Sequence, residues 1–416
     1  MRGPAALWAV QRAALRTRGG AALAAVLVAV GVATVVAMVA LWPPRDLGLA
    51  SAEGIIVASR DVIPARVEQV RLAECPGELK PGCVRADFRL DGGLRPGSHS
   101  YLMLPGDEAT PRLSPGDRIR VTPNAQSYGN VPAELVAGAD PSQAPYGFVD
   151  FERRRALLWI AIAFAALVVV LGRWVGAVSL IGAAAGLFLV TTFVAPAILA
   201  GSSPFVVALV GSFAAMFLAI VPLYGLSAKS LAALLGTAVS LLVIAAAAVI
   251  AVHASHLTGT SSEDATLVQS LGGGRISLQG LVIAGMLIGA LGVLNDVTVS
   301  QSSTVLALRR ANPALAAREL VRSGLAVGRD HLGATVNTLV FAYAGAALPL
   351  LLIFSSQDLT FRDAVNRETV ATEIVAALVG SFGLICAVPL TTVTAALLVV
   401  SLPADALAGE VHVHAH

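Results

Sequence analysis

Eight apolar blocks recur along the chain, most of them about 20 residues long, and this pattern leaves few folds open. They fall at 21–42, 156–172, 175–200, 204–223, 230–252, 278–296, 333–354 and 374–402. A helix of about 20 residues covers roughly 30 Å, the thickness of a hydrocarbon core. Of the 416 residues, 56% are hydrophobic and only 13% are charged, too little polar matter to coat a soluble body of this size. The fold class expected is a mainly α membrane protein with about eight transmembrane helices.

Basic residues orient the helices. Arg2, Arg12, Arg16 and Arg18 precede the first block. With eight alternating spans, Arg173, Lys229, Arg309, Arg310, Arg318, Arg322 and Arg329 share that side, while the opposite short loops hold only Arg275, Arg362 and Arg367. The positive-inside tendency then places both termini in the cytoplasm. Arg153, Arg154 and Arg155 disagree, because they fall on the outer side. The first block reads as an uncleaved anchor rather than a signal peptide, because it is long and no A-x-A site closes it. Four stretches follow: the cytoplasmic amino terminus with the first helix at 1–42, an extracytoplasmic β-rich domain and linker at 43–155, a seven-helix membrane domain at 156–402, and a cytoplasmic tail at 403–416. A net charge of +2 implies no nucleic-acid partner. Arginine far outnumbers lysine, and alanine and glycine abound, which suggests a GC-rich bacterial genome. The expected location is the bacterial plasma membrane, with the lipid bilayer as the first partner.

The insert is a different material. Short β-rich runs at 54–58, 65–72, 84–90, 100–104 and 118–121 are separated by Asp91-Gly92-Gly93, Pro96-Gly97, Pro105-Gly106 and Ser114-Pro115-Gly116-Asp117. Five such strands predict a small barrel of the OB or SH3-like kind. The proline-rich stretch 122–151 reads as an irregular linker. Phe88 and Tyr101 are the only aromatic residues in these strands, so a structural or protein-contact role ranks ahead of ligand binding. Cys75 and Cys83 lie in this extracytoplasmic segment, where a disulfide persists. Cys386 sits among apolar residues as packing.

Polar residues inside the membrane blocks are the candidate functional groups. Gly285, Gly289, Gly292, Asp296 and Ser300 share one helical stripe. The glycines are read as a helix-packing face, and Asp296 as a carboxylate at its end. Equally, Asp296 lies just past the hydrocarbon. Asn295, Gln301, Asp330 and Asn337 complete the candidate polar site, with Asp296 and Asn337 both at the inner end. Asp330 has a plainer reading beside a helix amino terminus. Gly345 and Pro349, then Gly380, Gly383 and Pro389, interrupt the last two helices in the manner of transport sites. His253 and His256 near Glu263 and Asp264, and the terminal His412, His414 and His416, are weak metal candidates. No metal or cofactor is called for. No Walker loop, G-x-S-x-G elbow or H-E-x-x-H motif occurs.

The run 289–301, then Gly328-Arg329-Asp330-His331 and 335–345, resembles the YibE/F-like family of bacterial multi-pass membrane proteins. The resemblance extends to the paired cysteines, His256-Leu257-Thr258-Gly259, Leu271-Gly272-Gly273-Gly274 and Val388-Pro389-Leu390-Thr391-Thr392. It implies an eight-helix integral membrane protein and no particular reaction or substrate. The family pattern has an aspartate where this chain has Asn295, so no two-carboxylate site is implied. The first functional reading is a permease-like protein for a small solute or ion. The second is a scaffold that holds an envelope protein partner through the barrel. An intramembrane enzyme ranks third, for want of a nucleophile, base or metal set.

Overall fold

The computed structural model describes residues 18–44, 62–73, 82–93, 96–106, 111–123, 145–225, 227–261, 263–356 and 360–402. The chain divides into two units, Ser51–Leu167 and Met1–Ala50 with Val168–His416.

The smaller unit holds five strands, β1 (Ile63–Ala73), β2 (Cys83–Leu90), β3 (His99–Leu104), β4 (Arg118–Pro123) and β5 (Tyr146–Phe151). They close in the order β1-β2-β3-β5-β4, with β3 parallel to β5 and the other pairs antiparallel. This is the OB rather than the SH3-like arrangement. Alternation drives it: Ala65 and Val67, Ala86, Phe88 and Leu90, Leu102 and Leu104, and Ile119 and Val121 face inward and form the core. Two sequence expectations change. Tyr146–Phe151 is a strand, not linker, because Tyr146 and Phe148 pack on that core and Tyr146 meets Phe88 edge-to-face. The expected strand at 54–58 lies outside the described residues.

A bulge in β1 between Val67 and Gln69 lets the 114–117 turn dock, with Val67 N–H donating to the Asp117 carbonyl and Gly116 N–H to the Val67 carbonyl. Gly116 has φ +96, which only glycine adopts without strain. On the barrel surface, burial pushes the Asp87 carboxyl up, but hydrogen bonds and charge from Arg71 and Arg85 outweigh it and hold Asp87 below its ordinary value. Cys83 is disulfide-bonded. Cys75, its expected partner, lies outside the described residues.

Helices make up the rest: α1 (Arg18–Ala40), α2 (Arg154–Leu189), a π-helical turn (Val190–Val194), α3 (Ala195–Leu199), α4 (Pro204–Tyr224), α5 (Ala228–Ala254), α6 (Glu263–Leu271), α7 (Leu278–Ala311), α8 (Ala317–Ala346), α9 (Leu348–Ser356), α10 (Phe361–Val365) and α11 (Glu368–Val400). Six helical stretches are long and apolar enough to cross a membrane, or seven if α8 and α9, bent by 58°, form one span. The stretch Arg154–Leu199 counts once in that tally, yet it is not straight. Arg173 has φ 51 and ψ −134, and a Cβ at Gly176 would strike the Val168 carbonyl. Eight residues of straight helix would separate those two positions by about 12 Å. The chain therefore folds sharply at Arg173, where the sequence had placed a boundary between two blocks.

In the larger unit α11 packs against α5, α7 and α8, and α4 lies against α5 and α7. Paired contacts fix the directions. Gly236 meets Thr391 and Gly383 meets Ile244, so α5 and α11 are antiparallel. Thr237 meets Thr298, and Gln279 donates to the Leu257 carbonyl, so α5 and α7 are antiparallel as well.

Candidate functional site

Two of the bundle's apolar clusters flank its buried polar side chains. One includes Leu241, Ile244, Leu294, Val297, Leu384 and Val388; the other includes Leu231, Leu234, Val305, Leu320 and Ala395. Between them lie seven polar side chains, Thr237 and Ser240 of α5, Thr298, Gln301 and Ser302 of α7, and Thr391 and Thr392 of α11, each at most 3% exposed. The end of the bundle nearest this layer carries Lys229, Arg309 and Arg310.

A buried polar group costs free energy unless it is hydrogen-bonded. Part of the layer meets that requirement. The Thr237 and Thr298 hydroxyls lie 2.7 Å apart. The Gln301 amide donates to the Gly324 carbonyl of α8 and to the Thr392 hydroxyl, both at 2.7 Å. Gln301 thus ties three helices at one point. Gly324 and Gly328 make room for it: a Cβ at Gly328 would come 3.0 Å from Gln301 Oε1 and 2.6 Å from Val388 Cγ1.

Two members, and Asn295 beside them, are left open. Ser240 Oγ, Thr391 Oγ1 and Asn295 Oδ1 are buried with no hydrogen-bond partner among the described residues. The Thr237–Thr298 register places Asn295 level with Ser240, and Gly236 brings Thr391 alongside the same stretch of α5. Thr391 thus lies about one helical turn from the level of Ser240 and Asn295. The three offer hydroxyl and amide groups without formal charge, suited to hydrogen bonding or to coordinating a weakly held ion.

The structure disperses the remaining candidates. Asp296, Asp330 and Asn337 are exposed on the outside of the bundle, Ser300 is half-buried, and no hydrogen bond joins Asp296 to Asn337. Gly285, Gly289 and Gly292 share the exposed face with Asp296. A Cβ at Gly285 or Gly292 would meet nothing within 4 Å, and at Gly289 only the Tyr343 hydroxyl. Among the described residues the stripe is therefore not a packing face, contrary to the sequence expectation. Small-residue spacing signals that a close approach is tolerated; it does not say which face of α7 is used. Here α7 buries the opposite face, with Ala284, Leu287, Leu294 and Thr298.

Sequence reasoning missed Thr237 and Ser240, which follow Gly236 at helical spacing on one face. It also missed Glu373. The last apolar block was drawn from 374, whereas α11 starts at Glu368 and places Glu373 in its second turn. Of the expected helix interruptions, the one near Gly345 and Pro349 is a real break, the α8–α9 bend. Pro389 sits inside an α11 that runs on without interruption. The His256–Gly259 motif is a clamp. Its Thr258 N–H, Thr258 hydroxyl and Gly259 N–H all donate to the Glu368 carboxylate, at 2.5, 2.8 and 2.6 Å.

These apolar helices and their buried polar layer define a multi-pass membrane protein with a small five-stranded barrel. The sequence model described as YibE/F-like protein matches residues 160–401, more than half of the chain, and the chain belongs to that family. Neither the curated proteins nor the solved structures yielded a match.

Proposed function

We propose that the protein is a permease-like transporter of a small solute or ion, and that the path runs through the polar layer of α5, α7 and α11. The observation that carries this reading is the pair of unpartnered buried oxygens on Ser240 and Thr391, in the layer between two apolar clusters, with the Asn295 amide oxygen unpartnered beside it. A purely structural layer would pair its polar groups, because each unpaired one is costly. A layer through which a solute passes must leave some of them free for it.

The reading includes an eight-span topology in a bacterial plasma membrane, with both termini cytoplasmic and the barrel outside. The fold at Arg173 supports eight spans, because it divides the stretch 154–199 into two. The ion pairs Arg153–Asp150, at 2.6 Å, and Arg154–Glu152, at 3.4 Å, lessen the objection from basic residues on the outer side.

Stopped-flow swelling of proteoliposomes in gradients of glycerol and of potassium chloride tests the reading. The wild-type protein is expected to speed one of these fluxes above empty liposomes, Asn295→Leu and Ser240→Val to abolish the gain, and Asp296→Asn to leave it. Wild-type rates equal to empty liposomes, or a gain untouched by Asn295→Leu, overturn it. The competing reading, a scaffold for envelope assembly acting through the barrel, requires the reverse: loss of function on deleting the barrel, with both polar-layer variants tolerated.

A further inference from the structure

At the end of the bundle away from Lys229, Arg309 and Arg310, a cavity of about 390 Å³ opens between α7, α11, the α8–α9 bend and the loop before α6. Its volume falls in the range of small-molecule sites, roughly 300–1,000 Å³. Its walls are mainly apolar, among them Leu281, Pro349 and Leu350. Its polar lining comes from Ser261, Thr369, Thr372 and Glu373. Glu373 is half-buried and has no hydrogen bond or ion pair among the described residues. An acidic side chain in a membrane-spanning helix ordinarily has a partner or faces a functional cavity. Here the cavity is present, and among the described residues Glu373 has no cationic partner; the Tyr343 hydroxyl feels its charge without a hydrogen bond to it.

Two features select the ligand. The single carboxylate favours a cation. The apolar walls favour a ligand with a hydrophobic body. A metal ion is disfavoured: calcium and magnesium take about six or more oxygen ligands, and no group of three His, Cys, Asp or Glu able to hold a metal exists among the described residues. We propose that this cavity binds a small organic cation, its ammonium group on Glu373 and the Thr369 and Thr372 hydroxyls, and its apolar portion against Leu281 and Leu350.

The proposal rests on the cavity's own geometry and not on the permease reading. Binding is therefore measured without flux. Calorimetry on the full chain in lipid nanodiscs uses benzyltrimethylammonium as probe, with sodium chloride and benzyl alcohol as comparisons. Benzyltrimethylammonium is expected to bind, to lose about tenfold or more in affinity with Glu373→Gln, and to recover with Glu373→Asp. Ala346→Leu, which narrows the cavity without touching charge, is expected to weaken it as well. Sodium or benzyl alcohol binding as tightly, or an unchanged affinity in Glu373→Gln, overturns the proposal. If Glu373→Gln fails to fold, carbodiimide modification of Glu373 in the wild-type chain, located by mass spectrometry, takes its place. Protection by benzyltrimethylammonium supports the site, and equal labelling with and without it overturns the site. Binding without flux in the liposome assay would remove the permease reading and leave this one standing.

Discussion

Gln301 shows how much one side chain can decide in an apolar bundle. Its amide nitrogen reaches a backbone carbonyl on α8 and a hydroxyl on α11. Replacing it with leucine keeps the volume and removes both donors. The Gly324 carbonyl then loses the Gln301 donor, and the Thr392 hydroxyl keeps only its bond to the Val388 carbonyl. Each lost hydrogen bond contributes about 0.5–1.5 kcal/mol net, so Gln301→Leu is expected to lower the thermal midpoint of the purified protein. Thr392→Val, which removes one of the same contacts, should add little once Gln301 is gone. An unchanged midpoint for Gln301→Leu would mean that the three helices are held by apolar contact alone. Gln301 was legible as a polar anomaly in the sequence, but its role was not. The residue that stood out there, Asp296, stood out through its charge, and charge is what keeps a side chain at the bundle surface when no partner is buried with it.

Helices meet here through glycine, at positions that spacing alone did not identify. The sequence pointed to Gly285, Gly289 and Gly292. The tight approaches are instead at Gly236, Gly324, Gly328 and Gly383, where an added Cβ would collide with Thr391, Thr392 and Val305, Val388, and Ile244 respectively. Gly285–Gly289 and Gly324–Gly328 carry the same four-residue spacing, so a single sequence gives no way to choose between them. Which face of a helix is buried depends on residues far away in the chain. The two sets predict opposite effects of the same substitution. Gly324→Ala and Gly328→Ala must displace packed side chains and are expected to destabilise by about 1–3 kcal/mol. Gly285→Ala and Gly292→Ala enter open space in a helix and are expected to stabilise by about 0.5–1 kcal/mol. Unfolding in detergent measures all four. A loss of stability at Gly285→Ala would show that something does pack against that face.

At the scale of the whole molecule the sequence was most informative where the physics is additive. Apolar length sums along a segment, and the expected blocks at 204–223, 230–252, 278–296 and 374–402 each overlie one helix, while 333–354 runs across the α8–α9 bend. Barrel strands at 65–72, 84–90, 100–104 and 118–121 were likewise close to their observed bounds. Composition misled where it averaged over a mixed stretch, as in the linker that hides Tyr146–Phe151, and it cannot count spans where two blocks join without a loop. That junction carries the topology. If the stretch Arg154–Leu199 crosses once, the barrel side and the turn at Ser202 lie on opposite faces of the membrane. If it crosses twice, folding at Arg173, they lie on the same face. Single cysteines at Ser98 and Ser202, in a chain with Cys386→Ser and the native Cys75 and Cys83 retained, separate the two cases with an impermeant thiol reagent on intact cells. The eight-span reading requires both cysteines to label from outside, and a cysteine at Ala311 to label only after the cells are opened. Labelling of Ser98 from outside with Ser202 protected until lysis would make α2 and α3 a single bent span. It would also reverse every helix that follows and move the Glu373 cavity to the cytoplasmic face.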